Sequence, residues 1–304
     1  MEMGMVGLGR MGGNMARRLL AGGHRLVVYD PVKQARDAIV QAGAVAADSL
    51  SRLARKLAPP RSVWLMVPSG APTENTIAGL AAVLGPGDTI IDGGNSYYRD
   101  SMRRGASLAQ KSISFLDVGT SGGIWGLKEG YCMMVGGDIA VFDRHEPVFK
   151  TLAPSPSSGY GYVGPGGAGH FVKMVHNAIE YGMMEAYAEG FELMQAKKEF
   201  CLDLQHVADI WRDASVIRSW LLDLTAAALK ADPSLDRVQS YVDDSGEGRW
   251  TVAESIDLAV PLPSIALALQ MRFRSRQSQP FAGRLLAVMR RQFGGHAVKK
   301  EGGF

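Results

Sequence analysis

Apolar positions along this chain follow two rhythms. Over the first half, short apolar runs alternate with longer amphipathic stretches. Met3 to Val6, Leu26 to Tyr29, Ser62 to Val67, Thr89 to Asp92, Phe115 to Val118 and Tyr131 to Val135 read as strands, and helical segments separate the early ones. That alternation predicts a parallel, doubly wound sheet, because a strand rejoins a parallel neighbour only through a crossover connection. From Gly166 onward the apolar spacing becomes helical and proline is scarce. Helices are expected over about 168–196, 203–212, 215–230, 251–257, 263–275 and 280–292. Asp232-Pro233-Ser234 breaks one of them, and Asp243 to Thr251 forms a glycine-containing loop. The predicted architecture is α/β, with a doubly wound N-terminal domain over residues 1–166 and an all-α C-terminal domain over residues 167–304.

The first strand runs into Gly7-Leu8-Gly9-Arg10-Met11-Gly12 and then a helical stretch, and the second strand ends at Asp30. A lone G-x-G-x-x-G is weak evidence. Between a strand and a helix, with an acid closing the next strand, it reads as the dinucleotide site of a Rossmann domain. Gly7 permits the tight turn, Gly9 lets backbone approach a pyrophosphate, and Gly12 lets helix pack on strand. The helix N-terminus then faces the anion. Gly7, Leu8, Gly9, Arg10, Met11, Gly12 and Asp30 are therefore candidate cofactor residues. A carboxylate at position 30 accepts from ribose hydroxyls and repels a 2′-phosphate. Pro31 follows it, not an Arg, although Lys33 and Arg36 are close enough in sequence to soften the repulsion. NAD is favoured, with weaker use of NADP left open.

Other strand ends should face the same crevice. Val67-Pro68-Ser69 is expected near the nicotinamide half. Asp92-Gly93-Gly94-Asn95-Ser96 is polar and turn-rich, and Gly119-Thr120-Ser121-Gly122-Gly123 offers hydroxyls and free N–H groups. Taken singly, each also reads as a plain loop.

Gly166 to Tyr181 carries the densest chemistry. Glycines enter a helix, and Lys173, His176, Asn177, Glu180 and Tyr181 then share one face. Phe171, Met174, Val175, Ala178 and Ile179 fill the rest of the circumference, so the helix is expected to be buried. A buried polar stripe must be paired or line a wet cleft. The alternative is an ordinary solvent face, but such faces are mostly Lys, Glu, Arg and Gln. This one combines a candidate base, a candidate acid and directional hydrogen-bonders, and reads as an active site.

Composition narrows the classes. A chain of 304 residues is long enough for two domains, and 46% hydrophobic with 21% charged residues suits a soluble globular protein. A net charge of +3 without a long basic run gives no argument for nucleic acid. No apolar run reaches the length of a membrane span and the chain enters a strand directly, so neither membrane nor signal peptide is expected, and the cytoplasm is. Cys132 sits in an apolar run and is expected in the core, not in a disulfide with the distant Cys201. The six histidines include no His-Glu-x-x-His, and no Gly-x-Ser-x-Gly elbow occurs. Neither a metal nor a nucleophilic triad is expected.

A nicotinamide site beside a Lys/Glu helix suggests alcohol oxidation with separate base and acid. Hydride leaves carbon only as the hydroxyl proton is removed, and a desolvated neutral Lys takes that proton. If the hydroxyl is β to a carboxylate, the product is a β-keto acid. Loss of carbon dioxide then needs a cation at the keto oxygen and an acid for the enol, and Lys173 and Glu180 supply both without a metal.

With these residues in view, the chain resembles the decarboxylating 6-phosphogluconate dehydrogenases, in their short bacterial, NAD-preferring form. The resemblance runs through Gly7–Gly12, Asp92–Ser96, Ser121–Gly123, Gly169–Asn177 with Glu180-Tyr181, Gly246–Thr251 and Phe293–His296, and covers nearly the whole chain. It implies oxidation of 6-phosphogluconate at C3, decarboxylation, and release of ribulose 5-phosphate, within the pentose phosphate pathway and gluconate utilization. Lys173 would then be base and later acid at the C3 oxygen, and Glu180 the acid toward the enediol. Asn95, Ser121, Gly122, Gly123, His176 and Asn177 would hold the sugar acid. Tyr181, Arg272 and Arg290 match phosphate-side positions, and His296 matches a substrate ligand. In the family the tail residues reach a neighbouring subunit, which implies a homodimer or homotetramer. Read from the residues alone, Arg290 merely complements its own helix dipole and the tail frays.

Two departures matter. Longer members carry a Lys just before the Gly-x-Gly-Lys-Trp-Thr segment; here it is Ser245, with Arg249 a candidate to compensate. Longer members also place an Asn-Arg pair after the second strand, where this chain has Asp30-Pro31, in keeping with NAD. Two rivals stand. One is a related β-hydroxyacid dehydrogenase acting on a small unphosphorylated 3-hydroxy acid such as 3-hydroxyisobutyrate, whose helix is not expected to carry His176, Glu180 and Tyr181 together. The other is a non-catalytic NAD-binding sensor, against which Lys173 and Glu180 argue.

Overall fold

The computed structural model describes residues 1–299. The chain forms two compact units, one over Met1–Asn177 and one from Ala178 onward. In the first unit, β1 (Glu2–Val6), β2 (Arg25–Tyr29), β3 (Val45–Ala46), β4 (Ser62–Leu65), β5 (Thr89–Asp92), β6 (Ser114–Ser121), β7 (Cys132–Gly137) and β8 (Tyr160–Gly164) make one sheet. Their order is β3-β2-β1-β4-β5-β6-β7-β8. Pairing is parallel from β3 to β6. Between these strands run α1 (Arg10–Ala21), α2 (Lys33–Val40), α3 (Leu50–Arg55), α4 (Ala71–Ala81) and α5 (Tyr98–Ala109).

The sheet departs from the all-parallel expectation at β7, which pairs antiparallel with β6. The link between them holds only a 3₁₀ turn (Gly123–Trp125) and the short helix α6 (Gly126–Glu129), too little for a crossover. After α7 (Ile139–Leu152), β8 pairs parallel with β7. Sequence periodicity misses β8 because Gly161 and Gly164 interrupt it and none of its residues is buried. It misses β3 because two residues carry no rhythm.

Both faces of the sheet are buried, as a doubly wound sheet requires. Met3, Met5, Leu26, Val28, Trp64 and Ile91 pack in one cluster, while Val6, Val27, Val63, Leu65 and Ile90 pack in another. The alternation along each strand assigns neighbours to opposite faces, and each such side chain contributes about 1.5–3 kcal/mol by leaving water. The same alternation corrects the expectation for Cys132. It is exposed, at the start of β7 opposite Ser121, while Met133 and Val135 take the core face.

α8 (Ala168–Ala196) belongs to the first unit through Asn177 and to the second beyond it. It is not buried all round, contrary to its composition. Val172, Ile179, Met183 and Met184 are exposed, and Ile179 is 51% accessible. The second unit continues with α9 (Leu204–Arg212), α10 (Trp220–Ala231), α11 (Glu247–Asp257), α12 (Pro263–Ser275) and α13 (Phe281–Gly294). α10 begins later than its apolar pattern suggests because Ser219 caps it, its side chain accepting from the Leu222 N–H at 3.1 Å. Phe191, Ala208, Leu222, Ala226 and Leu229 form one small core, and Tyr181, Ala268 and Leu269 another. No residue of α13 is buried. Among the described residues no helix is long and apolar enough to cross a membrane.

Candidate active site

A cleft of about 760 Å³ lies where strand order reverses between β1 and β4, the place where such sheets bind a dinucleotide. Its floor is glycine for three separate reasons. Gly7 has φ +87°, and a Cβ there would meet the Met66 carbonyl at 2.3 Å. A Cβ on Gly12 would meet the Gly7 carbonyl at 2.0 Å, so α1 can lie against β1 only without one. A Cβ on Gly9 would meet nothing within 4 Å, which leaves open space above the backbone at the N-cap of α1. That combination fits a dinucleotide pyrophosphate resting on a helix N-terminus. Arg10, Met11, Val67, Pro68 and Asn95 line the same cleft. Leu8 does not. Its side chain is in the core and its N–H donates to Asp30 Oδ2 at 2.7 Å.

Asp30 closes β2 with both oxygens engaged, since Oδ1 accepts the Val32 N–H at 2.8 Å. The carboxylate thereby ties the glycine turn to the second strand, and each oxygen keeps a lone pair for a ribose hydroxyl. The two cations near enough in sequence to soften the repulsion of a 2′-phosphate have other partners. Lys33 donates to Asp37 at 2.6 Å, and Arg36 donates to the carbonyls of Asp30 and Pro31.

Asn95 is presented by a turn built on Asp92, which is fully buried at the end of β5. Asp92 accepts from the Gly94 N–H at 3.1 Å and from the Ser96 hydroxyl at 2.7 Å. The buried Arg104 guanidinium lies 3.6 Å from the same carboxylate. Ser121 ends β6, and Gly122 at φ +128° and Gly123 at φ +50° then turn the chain with conformations that suit glycine.

Lys173 is 6% exposed on the first turns of α8. Its Nζ donates to Asn177 Oδ1 at 2.6 Å. His176 Nδ1 lies 3.1 Å from that oxygen and 3.4 Å from Lys173 Nζ. The predicted stripe therefore brings Lys173, His176 and Asn177 into one hydrogen-bonded group. Glu180 follows on the same helix, half-buried.

In the second unit, Tyr181 is 5% exposed and its hydroxyl accepts the Ser245 N–H at 3.2 Å. Arg272 stacks on the Tyr181 ring, 3.5 Å from the centroid, and donates to the Asp243 carbonyl at 2.8 Å. Ser245 donates to Glu247 at 2.5 Å. Arg249, the candidate replacement for the missing Lys, is committed elsewhere. It grips Asp244 through two bonds of 2.6 and 3.1 Å and lies over Phe273. Together with Arg276 it holds the Asp244 carboxyl at about 2, well below its ordinary value. Arg290 and His296 are exposed, on and just past α13.

Sequence reasoning passed over Asp117, and read Asp92 and Gly119 only as members of polar, turn-rich strand ends. A charged residue amid the buried positions of β6 was the available signal for Asp117.

A glycine cradle at a helix N-terminus, a carboxylate closing the second strand, and a buried amine on a following helix together define a nicotinamide-dependent dehydrogenase of the Rossmann class. Comparison with known proteins narrows the class. The NAD binding domain of 6-phosphogluconate dehydrogenase matches residues 2–164, and the C-terminal domain of 6-phosphogluconate dehydrogenase matches residues 169–299. The chain belongs to the 6-phosphogluconate dehydrogenase family. It is 42% identical over 302 residues to the NAD(+)-dependent, decarboxylating 6-phosphogluconate dehydrogenase of Haloferax volcanii, covering 99% of each chain. The structure of Plasmodium falciparum 6-phosphogluconate dehydrogenase superposes with a TM-score of 0.84 at 26% identity, over 100% of this chain and 67% of that one. A 3-hydroxyisobutyrate dehydrogenase from Salmonella typhimurium superposes less well, with a TM-score of 0.73 at 24% identity over 90% of this chain and 93% of that one, and shares the fold.

Proposed function

We propose that the chain oxidises 6-phosphogluconate with NAD and decarboxylates the product to ribulose 5-phosphate. The observation that carries this reading is the Lys173 amine, buried and held at 2.6 Å by Asn177. The glycine turn, Asp30, Val67 and Pro68 hold the cofactor, and NAD supplies the hydride acceptor. Lys173 takes the C3 hydroxyl proton as hydride leaves. The resulting ammonium then polarises the C3 keto oxygen while the bond to the carboxylate carbon breaks, releasing carbon dioxide and an enediol. Glu180 delivers the proton to the enediol carbon that lost the carboxylate, and Lys173 recovers the proton from the C3 oxygen. Asn95, Ser121, Gly122, Gly123, His176 and Asn177 orient the sugar acid, so that the hydroxyl and the base meet in one geometry.

Tyr181 and Arg272 take the phosphate side. Stacking fixes the Arg272 guanidinium in one plane, the arrangement that suits bidentate phosphate contact. Arg290 and His296 complete the site of a neighbouring subunit, so the working protein is a homodimer or homotetramer, in the cytoplasm. Support for this is that α13 buries none of its own residues. The discriminating assay follows NADH absorbance with carbon dioxide trapped, using 6-phosphogluconate and 3-hydroxyisobutyrate in parallel. NADH and carbon dioxide in equal amounts from 6-phosphogluconate are expected. Turnover of 3-hydroxyisobutyrate alone would replace this reading with the unphosphorylated-acid rival, and turnover of neither with the sensor.

A further inference from the structure

α8 starts without a capping side chain of its own. Pro165-Gly166-Gly167 precede it, and its first turn holds no acid. A helix N-terminus leaves N–H groups unsatisfied, and burying one without a partner is costly. Asp117, fully buried in β6, supplies the missing partner from another element. Its Oδ1 accepts the Gly167 N–H at 2.7 Å and its Oδ2 accepts the His170 N–H at 2.8 Å. A negative charge thus sits at the positive end of a 29-residue helix, through two charge-assisted bonds. A second pin comes from α5, where Ser101 Oγ lies 2.7 Å from His170 Nδ1.

The helix then rests directly on strand backbone. A methyl on Gly169 would meet the Asp117 carbonyl at 2.3 Å and the Met134 carbonyl at 2.5 Å. A methyl on Gly119 would meet Lys173 Cβ at 2.3 Å. Asp117, Gly119 and Ser121 alternate along β6 and so share one face. One strand face therefore carries the cap of the helix, the seat of its lysine turn, and a hydroxyl of the candidate sugar site.

We propose that Asp117 is a positioning residue for the reaction. It fixes the rotation and height of α8, and thereby where the Lys173 amine stands relative to the residues at the end of β6. The proposal rests on the reading of Lys173 as the acid–base. Lys173 lies three residues beyond His170, only about 4.5 Å along the axis, so a slip at the cap is transmitted with little loss. A displacement of about 1 Å at a reacting group can cost about 10²-fold in rate.

The test uses the full-length enzyme and the variants Asp117→Asn, Gly119→Ala and Lys173→Met. Asp117→Asn keeps the volume but turns one acceptor into a donor facing an N–H. The readouts are melting temperature, NAD dissociation constant, kcat and KM for 6-phosphogluconate, and the isotope effect with substrate deuterated at C3. For Asp117→Asn the expectation is a fall in kcat of about 10–100-fold at 25 °C, with NAD affinity and KM nearly unchanged and a larger isotope effect. A lower melting temperature with wild-type kcat would show Asp117 to be merely stabilising and overturn the proposal. Should Asp117→Asn not fold, Gly119→Ala decides, since its added methyl displaces the same turn; wild-type kcat there overturns the proposal. An inactive wild type or a fully active Lys173→Met overturns the functional reading and this proposal with it. A dead Lys173→Met beside undiminished Asp117→Asn and Gly119→Ala overturns the positioning role alone.

Discussion

Replacing Asp30 by Asn should collapse the cofactor preference from both sides at once. Asp30 does two things in this structure. It holds the Leu8 and Val32 N–H groups at 2.7 and 2.8 Å, and it places a negative charge where a 2′-phosphate would lie. Two unit charges about 5 Å apart repel by about 3 kcal/mol at an effective dielectric constant near 20, before the phosphate's second charge and salt screening are weighed. A preference for NAD on the order of 10²-fold in kcat/KM follows for the wild type. Asparagine removes a repulsion worth about 10²-fold, and the loosened turn takes back part of that gain, so kcat/KM with NADP should rise by about tenfold. Asparagine also sets an amide N–H₂ against one of two backbone donors, losing a charge-assisted bond worth about 1.5–3 kcal/mol, so kcat/KM with NAD should fall by about 10–100-fold. Adding Arg at position 31 should then favour NADP outright. The measurement is initial rates with each cofactor at saturating 6-phosphogluconate, with circular dichroism to confirm folding. A wild type more efficient with NADP would refute the reading of the second strand. An Asp30→Asn enzyme that gains NADP activity while keeping all its NAD activity would refute the claim that this carboxylate holds the glycine turn.

Lys173→Met should abolish NADH formation, while Glu180→Gln should still transfer hydride in single-turnover stopped flow but release ribulose 5-phosphate slowly; normal product release from Glu180→Gln would remove the acid from its role. Mixing inactive Lys173→Met subunits with inactive Arg290→Ala/His296→Ala subunits should restore part of the activity, because one site of a mixed dimer then has both an intact lysine and an intact tail. Demonstrated subunit exchange with no recovery would place the tail in cis. Asp244→Asn should cost about 1–2 kcal/mol of stability at neutral pH, allowing for the partial exposure of its arginine partners. Because the folded value is depressed to about 2 from an ordinary 3.8, that contribution is present above pH 4 and lost as pH falls through 2. The stability gap between the variant and wild type, read by urea titration, should therefore close toward pH 2; a gap constant across that range would show that the ion pair is not its source.

The sheet was legible where side chains alternate and were buried, and illegible where they were not. β1, β2 and β5 announce themselves because their apolar residues serve one or both core faces. β8 carries no such pattern, and the reversal at β7 depends on the length of a loop and not on any residue in the strand. The glycine turn was legible at Gly7 and Gly12, because the need for glycine there is a local steric fact. Arg249 was misleading for the opposite reason. Its availability depends on Asp244 and Arg276, and Arg276 is far from it in sequence. Charge at a position can be read from a sequence, but the partner that neutralises it cannot.

The same distinction bears on α13. Phe281, Leu285, Leu286, Val288, Met289 and Phe293 recur at helical spacing, and every one is exposed. An apolar stripe of that regularity is the sequence signature of a buried face, yet the described residues do not bury it. Isolated exposed apolar residues are ordinary on protein surfaces, but a continuous stripe along one helix marks an interaction face. On the reading in which Arg290 and His296 serve a neighbouring site, that stripe is the face the neighbour covers, and the two polar residues ride on a helix held in place by its apolar side. The apolar residues would then supply the association energy and Arg290 and His296 the chemistry, which explains why a helix so poorly covered within one chain keeps so regular a pattern.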